Sequence, residues 1–377
     1  MKLFMQKRSM LPMIIGILIL TLVLTSCGSA NGGGGSINAG KGCKKIGVLL
    51  PETATSARWD SKDRPLLTQA ITKELPGATV DYNNAEGNSD EQQNQANAGL
   101  TKGDCILVVA PQNSQAASAI VAKAKAQGVP VIAYDRLIQS KDLAYYVSFD
   151  GVQVGELQGH YIVDHYKDYV QPSHTNLVMI KGSQTDNNAI LLDQGASSKL
   201  QPLFANGTLK KVYDQFTPDW NNDTARTEMD SALTANQNNI QIAYVANDGM
   251  ANSVIASLKA QHLNGKVLVT GQDATVAGIQ NILTGDQTMT VYKAIAKEAN
   301  DTAKLVAAIS NGSNTSSLTN GTTVKTSDGT PIPAILETAV AVDKSNIAST
   351  VLADGFVTKS DICSGLPRGT NTNGICP

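Results

Sequence analysis

Neither sign of charge predominates in this 377-residue chain: 30 Lys and Arg stand against 32 Asp and Glu, for a formal net charge of -2. That balance argues against a nucleic-acid surface or a polyanionic partner. Charged residues amount to only 16%. Asn, Gln, Ser and Thr are plentiful in their place, a composition that suits a binder of uncharged polar solutes. Histidines number four, and His160 and His165, five apart on one predicted helix, are out of line for a shared metal ion. There is no Cys-x-x-Cys, no G-x-S-x-G elbow, no H-E-x-x-H, no P-loop and no well-placed G-x-G-x-x-G. The expectation is therefore a protein without metal, without cofactor and without enzymatic activity.

A confident membrane span is also missing, since the apolar stretch from Met10 to Leu24 is too short for one. Preceded by Lys2, Lys7 and Arg8, it has the form of a secretory signal. Leu24-Thr25-Ser26-Cys27 follows at once and resembles the lipobox of bacterial lipoproteins, which implies residues 1–27 as signal and lipobox and Cys27 as the lipid-bearing residue. An ordinary signal peptide ending near a cysteine is the plainer alternative. Residues 28–42 include Gly32-Gly33-Gly34-Gly35 and no apolar run, as a flexible tether would. The protein is thus expected outside the cytoplasm, attached to the cell membrane through lipid on Cys27.

Cysteines are few, and apart from Cys27 there are Cys43, Cys105, Cys363 and Cys376. Cys43 stands just before the first apolar strand and Cys105 just before the third. In a doubly wound sheet of order 2-1-3 these are parallel neighbours, so a Cys43 to Cys105 disulfide is expected, with Cys363 and Cys376 closing a C-terminal loop. Four cysteines allow three pairings, and the other two stay open.

From Lys45 onward, β-branched apolar runs alternate with helical patterns, which reads as α/β architecture with parallel sheets. The pattern runs to Phe149 and then restarts, predicting two doubly wound parallel-sheet lobes joined by a multi-strand hinge. The expected N-terminal lobe is 43–149 plus about 293–333, and the C-terminal lobe is 150–292 plus about 334–360. Within it, Ala334 to Val342 reads as one strand, and residues 361–377 form a Cys-bounded tail. Ser89 with Gln92 reads as a capping box.

Several of the apolar runs stop abruptly at acid or amide side chains. Arg58-Trp59 follows the first strand and Asp135-Arg136 the fourth; Asp186, Asn188, Asp219, Trp220, Asn247, Asp273 and Lys293 follow strands of the second set. Ligands of open α/β sheets bind just beyond such strand ends. Sugar hydroxyls both donate and accept, which carboxylates, amides and guanidinium groups satisfy together, and sugar C–H faces need flat apolar partners. The chain has only two tryptophans, and both fall in this set. Each member also has a plain reading: Asp63, Asp186 or Asp219 as a helix cap, a tryptophan as core packing, Lys293 or Arg58 as a surface charge.

Lys45-Ile46-Gly47-Val48, Ala57-Arg58-Trp59, Lys62-Asp63-Arg64, Ala133-Tyr134-Asp135-Arg136 and Val154-Gly155-Glu156-Leu157-Gln158 resemble the D-xylose-binding proteins of bacterial ABC transport. So do Asp186-Asn187-Asn188-Ala189, Gly271-Gln272-Asp273-Ala274 and Thr288-Met289-Thr290-Val291-Tyr292-Lys293. The similarity runs from about Lys45 to Phe356. It implies a type I periplasmic-binding-protein fold with a sugar between Trp59 and Trp220. The implied hydrogen-bonding residues are Arg58, Asp135, Arg136, Asp186, Asn188, Asn247, Asp273 and Lys293. The lipobox, the extra cysteines and the stretch around Tyr166 to His174 depart from that pattern. The resulting expectation is a monomeric receptor that captures a monosaccharide, D-xylose foremost, by lobe closure and delivers it to an ABC permease. Other sugars such as glucose, ribose or galactose, or presentation of the sugar to a sensor kinase or chemoreceptor, are the alternatives.

Overall fold

A computed structural model describes residues 39–376; the expected signal, Cys27 and most of the tether lie outside the described residues. The first half runs β1 (Lys45–Leu50), α1 (Arg64–Glu74), β2 (Thr79–Asn84), α2 (Ser89–Lys102), β3 (Ile106–Val109), α3 (Ser118–Ala126), β4 (Val131–Tyr134) and β5 (Tyr145–Phe149). The second runs α4 (Gly151–His165), β6 (Asn176–Lys181), α5 (Asn187–Ala205), β7 (Lys210–Phe216), α6 (Asn222–Ala235), β8 (Ile242–Val245), α7 (Asp248–Ala260), β9 (Leu268–Val269), α8 (Val276–Thr284) and β10 (Met289–Tyr292). The chain ends with α9 (Ile295–Asn311), α10 (Ser316–Thr319), β11 (Thr323–Lys325), β12 (Pro331–Glu337), β13 (Val340–Asp343) and α11 (Lys359–Cys363).

Strands β3, β4, β6 and β8 are buried at every residue, as parallel strands covered by helices on both faces must be. One sheet has the order β11-β12-β5-β4-β3-β1-β2 and a second β7-β6-β8-β9, while β10 and β13 form an antiparallel pair. β10 lies beside the end of the second sheet, with Val291 N donating to Gly271 O at 3.1 Å and Asp273 N to Val291 O at 2.8 Å. The chain passes between the halves after Phe149, after Tyr292 and again between Glu337 and Val340.

The expected disulfides are both present, Cys43 to Cys105 with Cα atoms 5.5 Å apart and Cys363 to Cys376 at 5.6 Å. Strands β1 and β3 are neighbours, as the first pairing required.

Four expectations need correction. The single strand foreseen over Ala334 to Val342 is two. Its first part, β12, pairs in parallel with β5, Ala334 opposite Tyr146, and so belongs to the first half; only β13 crosses to pair with β10. Periodicity identifies a strand but not its partner. Residues 39–42 are not tether, because Gly42 N donates to Ser310 O at 2.7 Å and Gly40 packs on Ile309 and Pro130. The cap of α2 is Asn88, one residue before Ser89, its side chain accepting from the backbone of Asp90 and Glu91. Finally, the Cys-bounded tail is part of the second half's core, with Ile362 and Ile375 packed among Ile279, Ile282 and Tyr292. The chain just before that tail also reaches the first half. Phe356 O accepts from Lys62 Nζ at 2.6 Å, and the Lys62 ammonium lies 5.1 Å from the centre of the Phe356 ring.

Candidate functional site

Polar side chains in the loops just beyond β1, β4, β6, β7, β8, β9 and β10 converge at the junction of the halves. One cavity is lined by Arg58 and Trp59 after β1, Asp135 and Arg136 after β4, Asp186 and Asn188 after β6, Trp220 after β7, Asn247 after β8, Asp273 after β9 and Lys293 after β10. Ten of the eleven residues singled out past strand ends are brought together there. Glu52, Thr55, Ser56 and Gln272 line it as well and were missed. The rule of looking past strand ends would have found Glu52, two residues beyond β1. Asp219, from the same set of loops, is exposed and outside the cavity, its N–H donating to Ser183 Oγ.

Arg58 organises the wall of the first half. It leads into a single π-helical turn, Trp59–Asp63, and its guanidinium is buried. Nε and Nη2 donate to the two oxygens of Asp63 at 2.9 and 2.8 Å, a bidentate fork. Nη1 donates to Asp135 Oδ2 at 3.1 Å. Asp63 also accepts from Tyr134 Oη at 2.7 Å and makes no cap to α1, so the plain reading of this residue as a helix cap does not hold. Lys293 Nζ donates to the same Asp135 oxygen at 3.1 Å. Burial raises the pKa of Asp135, but Arg58, Lys293 and Arg136 together outweigh it and hold the carboxyl well below its ordinary value.

The second half supplies a matching cluster. Asp186 caps α5 through Oδ1 to Asn188 N at 2.9 Å, so here cap and cavity roles coincide. Its Oδ2 receives Arg136 Nε at 2.9 Å and Trp220 Nε1 at 3.1 Å. Burial pushes the Asp186 pKa up, with Arg136 opposing. Trp220 lies flat on Gly182, where any Cβ would fall inside the ring. Trp59 carries the guanidiniums of Arg58 and Arg136 at 4.4 and 5.1 Å from its ring centre. Asn247 caps α7 by accepting from Met250 N at 2.9 Å, which leaves its NH2 group free to donate.

Three of these residues, Asp135, Trp220 and Asp273, have positive φ, 58°, 55° and 95°. Non-glycine residues hold that conformation only where their surroundings enforce it. Behind Asp273, Asp248 is fully buried and accepts Gln287 Nε2 at 2.8 Å, Thr290 Oγ1 at 2.9 Å and Thr275 N at 2.8 Å. Burial, opposed by these hydrogen bonds, pushes its pKa up to about 7. The halves are drawn together over the cavity. Ser114 N donates to Thr185 O at 2.8 Å, Gln139 Nε2 to Asn187 Oδ1 at 2.8 Å, and Asn188 Nδ2 to Asp135 Oδ1 at 3.1 Å.

A two-sheet α/β body with a polar, aromatic-walled cavity at its strand ends defines a solute-binding protein. The chain belongs to the periplasmic binding proteins: the family model described as a periplasmic binding protein domain matches residues 46–314. Among its relatives is the D-xylose-binding periplasmic protein of Haemophilus influenzae, 40% identical over 323 residues, which cover 84% of this chain and 92% of that protein. The D-xylose-binding periplasmic protein of Escherichia coli is 38% identical over 321 residues, with the same shares covered. Among solved structures, an ABC transporter solute binding protein from Clostridium phytofermentans with bound β-D-glucose superimposes with a TM-score of 0.73 at 28% identity, over 85% of this chain and all of that one. Proteins of this family are extracytoplasmic solute receptors, not enzymes.

Proposed function

We propose that the cavity binds an uncharged monosaccharide, D-xylose foremost, and that the protein hands it to an ABC permease. The hydrogen-bond state of the cavity carries this reading. Its cations Arg58, Arg136 and Lys293 are each already paired with an aspartate. Two buried acceptors, Glu52 Oε1 and Asn188 Oδ1, have no hydrogen-bond partner, and Asp273 Oδ1 has only the Arg58 and Lys293 cations at 3.6 Å. A buried acceptor without a donor costs about 1–3 kcal/mol. A ligand rich in O–H groups removes that cost, whereas an anion would find no unpaired cation and four carboxyl groups, those of Glu52, Asp135, Asp186 and Asp273. The indole faces of Trp59 and Trp220 supply the flat apolar surface that sugar C–H groups require. The identity with two D-xylose-binding relatives supports xylose ahead of the other sugars.

The ten residues named above are the proposed ligand contacts. Closure of the two halves about the sugar, through the three chain crossings, is the proposed conformational step. Attachment to the membrane through lipid on Cys27 rests on Leu24-Thr25-Ser26-Cys27 alone, and the receptor is proposed to act as a monomer. Thermal unfolding across a panel of pentoses and hexoses tests the ligand. A sugar at a hundred times its Kd stabilises by about 2.7 kcal/mol, which is plain beside non-binders. A melting curve unmoved by both xylose and glucose would end the assignment.

A further inference from the structure

Glu52 is buried, 4% exposed, and its two oxygens face different demands. Oε2 accepts from Thr55 N at 2.8 Å and, more loosely, from Ser56 N at 3.4 Å, which folds residues 52–56 into a turn. Oε1 has no partner although Glu52 lines the cavity. The far side of the same turn touches the second half: a Cβ added to Gly249, in the first turn of α7, would lie 2.9 Å from Thr55 O. The helix it touches is the one capped by Asn247, itself a wall of the cavity. A single carboxyl group thus joins the ligand space to the contact that closes over it.

We propose that Glu52 is a specificity-determining residue, its Oε1 accepting one hydroxyl hydrogen of the bound sugar while its Oε2 holds the turn that seals the cavity against α7. This rests on the sugar reading above. The physical basis is asymmetric: an unpaired buried acceptor is unfavourable, so a site built to receive an O–H rejects an analogue that cannot supply it. A hydroxyl at the position facing Oε1 is required, and other positions answer to other residues.

The test is calorimetric titration of the full chain as wild type, Glu52→Ala and Glu52→Gln, each with D-xylose and its monodeoxyfluoro analogues. Fluorine keeps the size and polarity of a hydroxyl but cannot donate. In Glu52→Gln the turn retains its acceptor oxygen, so the NH2 group replaces Oε1. The expected result is one sugar position where fluorine weakens wild-type binding about tenfold or more and weakens either variant about threefold or less. Glu52→Gln decides the matter if the alanine variant does not fold. Fluorine penalties that are the same in wild type and variants at every position overturn the proposal. A wild type that binds neither xylose nor any analogue removes the sugar reading itself, and is told apart because no titration develops at all.

Discussion

Single side chains in and behind the cavity do opposite things to stability and to binding. Trp220 is held at both ends, by the Asp186 hydrogen bond and by its seat on Gly182, so its rigid ring is ready before any ligand arrives. Trp220→Ala should lower sugar affinity by roughly 2 kcal/mol or more while the sugar-free protein still unfolds cooperatively, as read by titration and melting. Glu298, in α9, is the reverse case. It is fully buried, neither oxygen has a hydrogen-bond partner, and the nearest cation is Arg58 Nη2 at 3.8 Å. Burial first, and then the nearby Asp135, raise its pKa well above the ordinary value. A raised carboxyl pKa means that the folded state binds the proton more tightly than the unfolded chain, so stability declines as pH climbs from the unfolded pKa toward the folded one. Glu298→Gln should therefore melt higher than wild type at pH 8 and match it at pH 4. An equal gain at both values would show that packing and not ionisation is responsible.

At the scale of elements, helices α4 and α5 lie backbone against backbone. A Cβ on Gly155 would overlap the Leu192 carbonyl oxygen, and one on Gly195 the Val152 carbonyl oxygen. Gly195→Ala should destabilise by about 1–3 kcal/mol, visible as a lower melting temperature, because neither backbone can yield without moving a whole helix. Such contacts are not legible in a sequence, which shows a glycine in a helical pattern and nothing of what it faces. What was legible is what hydrophobicity and position encode. Short β-branched runs gave the parallel strands, and the polar residues after them gave ten of the fourteen cavity residues. The pairing of β12 was lost because a strand carries no mark of its neighbour. The Arg58 fork to Asp63 was lost because the π-helical turn that aligns them has no sequence signature. Glu52 lay within reach of the strand-end rule but stands apart from the Arg58-Trp59 pair that drew attention.

Taken whole, the molecule has contacts between its halves that do not involve the cavity. Phe356, shortly before the Cys-bounded tail, packs on the core of the second half, yet it holds Lys62 of the first. Tyr292, at the end of β10, meets Phe356 in a tilted contact at 4.9 Å between ring centres and donates to Asp354 at 3.1 Å, so that grip sits beside one of the chain crossings. Under the proposed closure of the halves, Lys62→Ala removes a contact that favours the closed arrangement. It should weaken sugar binding several-fold through the open–closed balance, chiefly by faster dissociation, with no change in the ranking of sugars. Stopped-flow release of xylose reads the rate, and a changed ranking would mean that Lys62 acts on the pocket instead.

The junction at Gly40–Cys43 gives the molecule a load path. The backbone bond from Gly42 to Ser310 and the Cys43 to Cys105 bridge fasten the incoming chain to β3 and to the end of α9, both parts of the first half. Any pull arriving through the residues before Ala39 is therefore borne by that half, like a door frame screwed to a wall. In the proposed closure, the second half, joined through the three crossings, is then the part that moves.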